Sequence, residues 1–159
     1  MQYLLPAADI ATAAVADTFK TIAALRIPDT TGLRGKLMRL LVSFADDAAA
    51  DQMVAVQVKR IADVSAGSAG TATSVTLAKR DPGSAASRLQ AYRNFTVEPT
   101  TYETEPLYCV ELNSRAGVHD LWLPDDALVA TQDMMLGILM APRAAEARQV
   151  TVLAHVMEY

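Results

Sequence analysis

Apolar side chains recur at every second position in several separate segments, and this alternation is the feature that most constrains the fold. A strand with one buried face places successive side chains on opposite sides, so a period of two predicts β-strands. The pattern runs from Gly35 to Ala45, from Met53 to Ile61 and from Leu107 to Asn113. These segments are rich in β-branched and aromatic residues, which suit a pleated surface. The sequence therefore predicts an all-β protein.

Two later segments are apolar at consecutive positions instead of alternate ones. One runs from Met134 to Met140, and the other runs from Val150 to Met157, where only Thr151 and His155 interrupt it. A short run that is apolar on both sides is buried on both sides. We therefore expect two central strands, each covered on its second face by another sheet or by a neighbouring subunit.

The N-terminal third has no clean period. Residues 7–25 are rich in Ala, which favours helix, but the Thr, Val and Ile among them favour strand. We predict an extended arm or first strand over residues 1–18. A single β-sandwich domain follows over residues 19–159, with a strand from about Phe19 to Ile27.

The first six residues place three bulky apolar side chains before a proline. Tyr3, Leu4 and Leu5 precede Pro6, outside any alternating segment. Chain termini are usually disordered unless something holds them. We therefore expect this arm to dock onto a neighbouring molecule.

Turn signals separate the predicted strands. Ser65–Gly70 is a connection of small residues, and Asp81–Ser84 places Pro and Gly as a type II turn requires. Ser84–Tyr92 is interpreted as a short helix or as an extended crossing. Further prolines argue against long helices elsewhere, and about eight strands at this spacing predict a jelly-roll-like sandwich.

Charge and cysteine content restrict the partners and the compartment. The net charge is −4, and the sequence lacks the clustered cationic residues that bind nucleic acid. No stretch is apolar enough to span a bilayer. Cys109 is the only cysteine, so an intrachain disulfide is impossible and a reducing compartment is expected. No secretory leader is recognised at the start. We expect neither nucleic acid nor a membrane as a partner.

The residues that could carry catalysis do not form a recognisable motif. His119 and His155 are the only histidines, and there is no Gly-x-Ser-x-Gly sequence. Cys109 falls on the polar face of its strand, where a structural role is expected. Glu98, Glu103 and Glu105 could suggest a glycosidase, but they share one proline-flanked segment and are expected to face solvent. We predict no enzymatic activity and no catalytic residue.

Metal ligands are equally sparse. Asp120, Asp125 and Asp126 surround Trp122, but they lack the spacing of a dedicated calcium loop. His155 interrupts an apolar strand and is interpreted as a core or interface histidine. We therefore expect no metal site and no cofactor.

A family resemblance is carried by several short runs between Val54 and the end of the chain. These are Val54–Arg60, Ser65–Thr73, Leu77–Ala86, Trp122–Pro124, Met140–Pro142 and Met157–Tyr159. In this order they resemble the small virion structural proteins of tailed bacteriophages, in particular head cement or decoration proteins. The resemblance implies a non-enzymatic β-sandwich that forms a homotrimer on the capsid surface. It also implies the major capsid protein as a partner and assembly in the cytoplasm of the host bacterium.

Two other functions stay open. One is a tail, baseplate or head-completion component of the same kind of virion. The other is a carbohydrate-binding β-sandwich, which would need exposed aromatic side chains, and the candidates are Trp122, Tyr92 and Tyr102.

The apolar arm and the two consecutively apolar segments together predict the interface. The side chains expected to contact a neighbouring molecule are Tyr3, Leu4, Leu5, Met135, Leu139, Leu153 and Met157.

Overall fold

The computed structural model consists of two antiparallel sheets packed face to face. It describes residues 1–30, 32–45, 52–62, 68–116, 118–123 and 128–159. The strands in these ranges are β1 (Gln2–Ala11), β2 (Lys20–Arg26), β3 (Gly35–Phe44), β4 (Met53–Ile61), β5 (Thr71–Val75), β6 (Ala78–Lys79), β7 (Gln90–Val97), β8 (Tyr108–Asn113), β9 (Val118–Trp122), β10 (Val129–Ala130), β11 (Met135–Pro142) and β12 (Gln149–Glu158).

Each sheet contains six strands. Sheet A has the order β10-β3-β12-β1-β6, with β9 also paired to β3, and sheet B has the order β5-β7-β2-β11-β4-β8. The chain alternates between the sheets from β1 to β4, and it passes from β8 in sheet B to β9 and β10 in sheet A, then to β11 in sheet B and β12 in sheet A. Its first and last strands pair with each other. The predictions of an all-β protein and of a single β-sandwich are confirmed.

The main core lies between the sheets and is built by alternate residues of each strand. In β1, Tyr3 and Leu5 point inward, and in β3, Leu40 and Val42 do so. Their neighbours in sequence therefore point to the outer face of sheet A, since successive side chains of a strand alternate. The predicted strand from Gly35 ends one residue earlier than expected, and the strand from Met53 to Ile61 is confirmed without change.

The first residues of the chain form a strand of the sheet. β1 pairs with β12 along its length, and Tyr3 and Leu5 are 1% and 0% exposed within the chain itself. Pro6 is tolerated because β6 pairs with β1 only at Tyr3 and Leu4, which leaves the strand with an open edge beyond them. The expectation that Tyr3, Leu4 and Leu5 lie outside any alternating strand is wrong, and the first-strand alternative for residues 1–18 describes β1.

Strand β11 is buried at every residue because it lies in the centre of sheet B, between β2 and β4. Its inner side chains join the main core. On the outer side, Met135 forms a second, smaller cluster with Ala24, Ile61 and Phe95. The outer face of β11 is therefore covered by residues of the same chain.

The segment after β7 crosses the outer face of sheet B. Glu98 is hydrogen-bonded to Thr21 of β2, and four residues later Tyr102 forms a bridge with Ile61 of β4. Strand β11 lies between β2 and β4, so the chain from Glu98 to Tyr102 passes over it. We call residues 98–102 the crossing segment.

A carboxylate holds the crossing segment to the sheet. The buried Thr21 N–H donates to both Glu98 carboxylate oxygens at 3.1 and 3.0 Å, and the Thr21 hydroxyl lies 2.5 Å from Oε2. The Tyr102 hydroxyl donates to Oε2 at 2.8 Å. Burial, above all, raises the pKa of Tyr102, and the adjacent Glu98 carboxylate raises it further. The expectation that Glu98 merely faces solvent is therefore wrong.

The predicted turns are present with one difference. The Ser84 N–H donates to the Asp81 carbonyl at 3.0 Å, which closes a β-turn. Gly83 does not have the positive φ of a type II turn, and the Asp81 side chain instead accepts from the Gly83 N–H at 2.9 Å. Ser84–Tyr92 contains no helix, so the helical interpretation is wrong: residues 84–89 have no regular secondary structure, and residues 90–92 begin β7. In the Ser65–Gly70 connection, residues 65–67 lie outside the described ranges.

Candidate interaction surface

The outer face of sheet A presents apolar side chains that the described chain leaves partly open. Strands β1, β12, β3 and β9 lie side by side there, and their outward residues are half-buried or exposed. We call this set the sheet A face. Its members are Gln2, Leu4, Pro6, Arg39, Leu41, Ser43, Val118, Asp120, Trp122, Thr151, Leu153, His155 and Met157.

The centre of the sheet A face is aliphatic. Leu153 of β12 lies directly between Pro6 of β1 and Leu41 of β3, and Leu4 is the next outward residue of β1. Directly opposed side chains on one face of an antiparallel sheet have Cβ atoms about 4.5–5.5 Å apart. The four side chains therefore form one continuous half-buried patch.

Trp122 and Arg39 border this patch on the side of β9. The indole of Trp122 is 68% exposed, and the Arg39 guanidinium carbon lies 4.8 Å from the centre of its ring. Arg39 also donates to Asp120 through Nε at 2.6 Å and through Nη2 at 2.5 Å. This two-point contact lowers the pKa of Asp120. Arg39 therefore contacts both the Trp122 ring and the Asp120 carboxylate.

His155 lies on the sheet A face between Leu4 and Arg39. Burial first, and then the positive charges of Arg39 and Arg80, lower its pKa, and Asp120 opposes them. The imidazole is therefore neutral over a wider range of pH than a free histidine. The interpretation of His155 as an interface residue stays a prediction, and its half-buried position agrees with it.

Three of the seven predicted interface residues lie on the sheet A face. Leu4, Leu153 and Met157 are half-buried and point outward from β1 and β12. Tyr3 and Leu5 point into the main core. Tyr3 and Leu5 were wrongly predicted as interface residues because β1 is apolar on both of its faces, so the sequence does not show which side chains point inward.

The other two predicted interface residues belong to sheet B. Met135 and Leu139 are 1% and 4% exposed on the outer side of β11. Met135 is covered by the second cluster, and Leu139 is opposite Thr21, to which the crossing segment is bonded. Neither side chain is therefore exposed enough to form a protein interface.

The sequence reasoning missed the part of the face that β3 and β9 supply. Leu41 interrupts the alternation of its strand between Leu40 and Val42, and this second apolar side was a usable signal. Trp122 was considered only as a possible sugar ligand, and Val118, which is 68% exposed, was not considered at all. Neither residue can be assigned to a face without knowing that β9 pairs with β3.

The residues considered for catalysis are separated or already bonded. Cys109 is exposed, as predicted, and lies 3.9 Å from Gln57 Nε2. His119 Nε2 lies 2.8 Å from the Asn113 carbonyl oxygen. Glu103 lies 3.7 Å from the Arg60 guanidinium.

The aspartates considered for calcium are only partly described. Asp125 and Asp126 fall in residues 124–127, outside the described ranges, and Asp120 is paired with Arg39. Among the described residues, no group of three or more His, Cys, Asp or Glu side chains is placed to hold a metal ion. The described part of the chain also contains no helix long and apolar enough to cross a membrane.

Comparison with known proteins gives no assignment. No protein-family model matches the chain, and no curated protein matches it either.

Proposed function

We propose that this chain is a non-enzymatic structural protein of a tailed-phage virion, of the head cement or decoration type. In this role it self-associates, as a homotrimer, and bridges neighbouring copies of the major capsid protein on the capsid surface. The observation that carries the proposal is the partly open apolar face of sheet A. Its place in the virion rests on the family resemblance of the sequence.

The strand order supports a virion protein. Sheet A contains the run β1-β12-β3-β9, and sheet B contains the run β2-β11-β4-β8. Along the chain these eight strands alternate between the sheets, except that β4 and β8 both lie in sheet B. This is the order expected of a jelly roll, in which β5, β6 and β7 form an insertion. Jelly rolls occur in viral capsid proteins and in lectins, so the fold narrows the function without deciding it.

The chemistry of the sheet A face supports self-association. Trp, Met and Arg are enriched in protein interfaces, whereas Lys, Glu and Asp are depleted. The face combines Trp122, Met157 and Arg39 with an aliphatic centre, and its one aspartate is already paired with arginine. Full burial of one such aliphatic side chain is worth about 1.5–3 kcal/mol. A second copy that packs on the sheet A face would bury these half-buried side chains completely.

The test is the molar mass of the pure protein by light scattering, followed by sedimentation with capsids that lack it. We expect a species of three times the 17.0 kDa of one chain at micromolar concentration, and we expect it to sediment with the capsids. Val118→Asp puts a charge on the sheet A face and should weaken self-association. Val97→Asp makes the same change at a valine of sheet B that is 56% exposed, and it serves as the control.

Three results would contradict the proposal. A 17.0 kDa species at micromolar concentration would show that the chain does not self-associate. Failure to sediment with capsids would show that it does not act as a cement protein. Equal weakening by Val118→Asp and Val97→Asp shows that the sheet A face is not the contact.

A carbohydrate-binding module is the second candidate, and one observation favours it. The exposed indole of Trp122 lies beside the polar side chains of Arg39 and Asp120, as a sugar-stacking site requires. Tyr102 is unsuitable, since its hydroxyl is bonded to Thr21 and Glu98. Retention on glycan columns that Trp122→Ala abolishes would favour this candidate over the first.

A further inference from the structure

A cavity of about 230 Å³ opens on the outer face of sheet B. Strand β2 contributes Arg26 to its wall, β7 contributes Tyr92 and Phe95, and β11 contributes Met135. The chain from residue 69 to residue 72 forms the rest of the described wall. It therefore lies on the opposite side of the sandwich from the sheet A face.

One wall of the cavity is held in place by close backbone contacts. Gly70 has a φ of +75°, and a Cβ at this position would lie 2.4 Å from the Val97 carbonyl oxygen. The Thr100 N–H donates to the Ser68 carbonyl at 3.1 Å. Only glycine fits the approach at residue 70, so the cavity is a built feature of the fold.

Arg26 is the one charged residue among the described residues that line the cavity. The Arg26 side chain is half-buried, and its Nε atom is buried with no hydrogen-bond partner among the described residues. Buried N–H groups are almost always hydrogen-bonded, so an unpaired one is costly. The Tyr92 hydroxyl donates to the Gln90 side chain at 3.1 Å. An acceptor group bound in the cavity would satisfy this N–H.

We propose that the cavity binds a small monocarboxylic acid with an apolar body, of the size of benzoate. A guanidinium group binds a carboxylate through two parallel hydrogen bonds, and a single cation matches a monoanion better than a phosphate dianion. Phe95, Met135 and Ala72 supply the apolar wall for the body of the ligand. A cavity of about 150 Å³ holds benzene, so 230 Å³ leaves room for a ring and a carboxylate.

The carboxylate could belong to a free acid or to an acidic side chain of a second copy of the chain. The small volume of the cavity favours the free acid, since drug-sized ligand sites span about 300–1,000 Å³. The inference does not depend on the proposed virion role, because the cavity and the sheet A face are on different sheets.

The test is an NMR titration of the full chain with sodium benzoate, and with benzamide as its uncharged analogue. Benzoate should cause saturable shifts of the Met135 methyl and Ala72 amide signals. Arg26→Met keeps a long, unbranched side chain but removes the charge. It should weaken benzoate binding about tenfold or more. Arg93→Met, a change on the strand beside β2 that does not line the cavity, should leave binding unchanged.

The proposal is overturned if benzamide binds as tightly as benzoate, or if neither causes saturable shifts at these two residues. Equal loss of binding in Arg26→Met and Arg93→Met would also overturn it. If Arg26→Met does not fold, the comparison of benzoate with benzamide on the unaltered protein decides alone. Shifts of the Met135 methyl that depend on protein concentration without ligand would assign the site to an acidic side chain of a second copy, and would refute the free-acid ligand.

Discussion

Replacing Glu98 by alanine should destabilise the protein although the residue belongs to a connection between strands. The carboxylate accepts hydrogen bonds from the Thr21 N–H, the Thr21 hydroxyl and the Tyr102 hydroxyl. Thr21 is 0% exposed, so its N–H would lose its partner inside the protein. A buried donor left unpaired costs about 1–3 kcal/mol.

The expected total follows from which donors keep a partner. The two hydroxyls lie 2.5 Å apart and can still bond to each other, so the main losses are the Thr21 N–H and one hydroxyl donor. Together these give about 2–4 kcal/mol. For a chain of this length, that loss corresponds to a fall in the melting temperature of about 4–16 °C.

Urea denaturation measures this loss directly, as a change in midpoint at constant m-value. Glu105→Ala is the matched control, because Glu105 is exposed and follows the crossing segment closely, and its effect should stay within about 0.5 kcal/mol. Combining Glu98→Ala with Tyr102→Phe should show a coupling energy of about 0.5–3 kcal/mol. Glu98→Ala matching Glu105→Ala within error would refute the assignment of Glu98 as the group that holds the crossing segment.

Three further predictions concern the termini and the thiol. Deleting residues 1–6 should abolish cooperative thermal unfolding followed by circular dichroism, because β1 is a strand of sheet A with two core side chains; an unchanged melting temperature would contradict this. Cys109→Ser should change the urea-derived stability by less than about 1 kcal/mol, because the thiol is exposed, and a larger loss would show that it is buried. Burial raises the pKa of Glu158, but hydrogen bonds from Ser87 and Arg88 lower it, and the net shift is downward. The ionised Glu158 therefore stabilises the folded state above about pH 4.3, and this contribution is lost as the pH falls. Glu158→Gln should therefore reduce the acid dependence of stability between that pH and the acid transition, and an unchanged pH profile would contradict the assignment.

The strands that alternate were predictable because one of their faces is polar. β4 was predicted with its exact ends, and β3 and β8 within one residue of theirs, since Gln57 and Lys59 or Arg39 and Ser43 mark the open side. β1 was predicted only as one of two alternatives, because its outward Leu4 and Pro6 are as apolar as its inward residues. Periodicity identifies a strand only where its two faces differ.

The candidate site was predictable only in part, because its members come from four strands that are distant in sequence. Leu4 and Leu153 were named for their apolar character, which the sequence shows. Their proximity to Trp122 depends on β12 pairing with β3 and on β3 pairing with β9. Long-range pairing of this kind leaves no local signal in a single sequence. Arg26 was missed for the same reason, since its cavity is enclosed by residues from β5, β7 and β11.

The two sheets show why an apolar strand does not by itself predict an interface. β11 and β12 looked equivalent in sequence, and both are central strands. The outer side of β11 is closed by the crossing segment, which Glu98 bonds to Thr21, whereas the outer side of β12 keeps Leu153 and Met157 half-buried. The same hydrophobic driving force is therefore already satisfied on one sheet and still available on the other. A partner that gains stability from apolar burial would bind to sheet A, and this places the expected contact on one side of the sandwich.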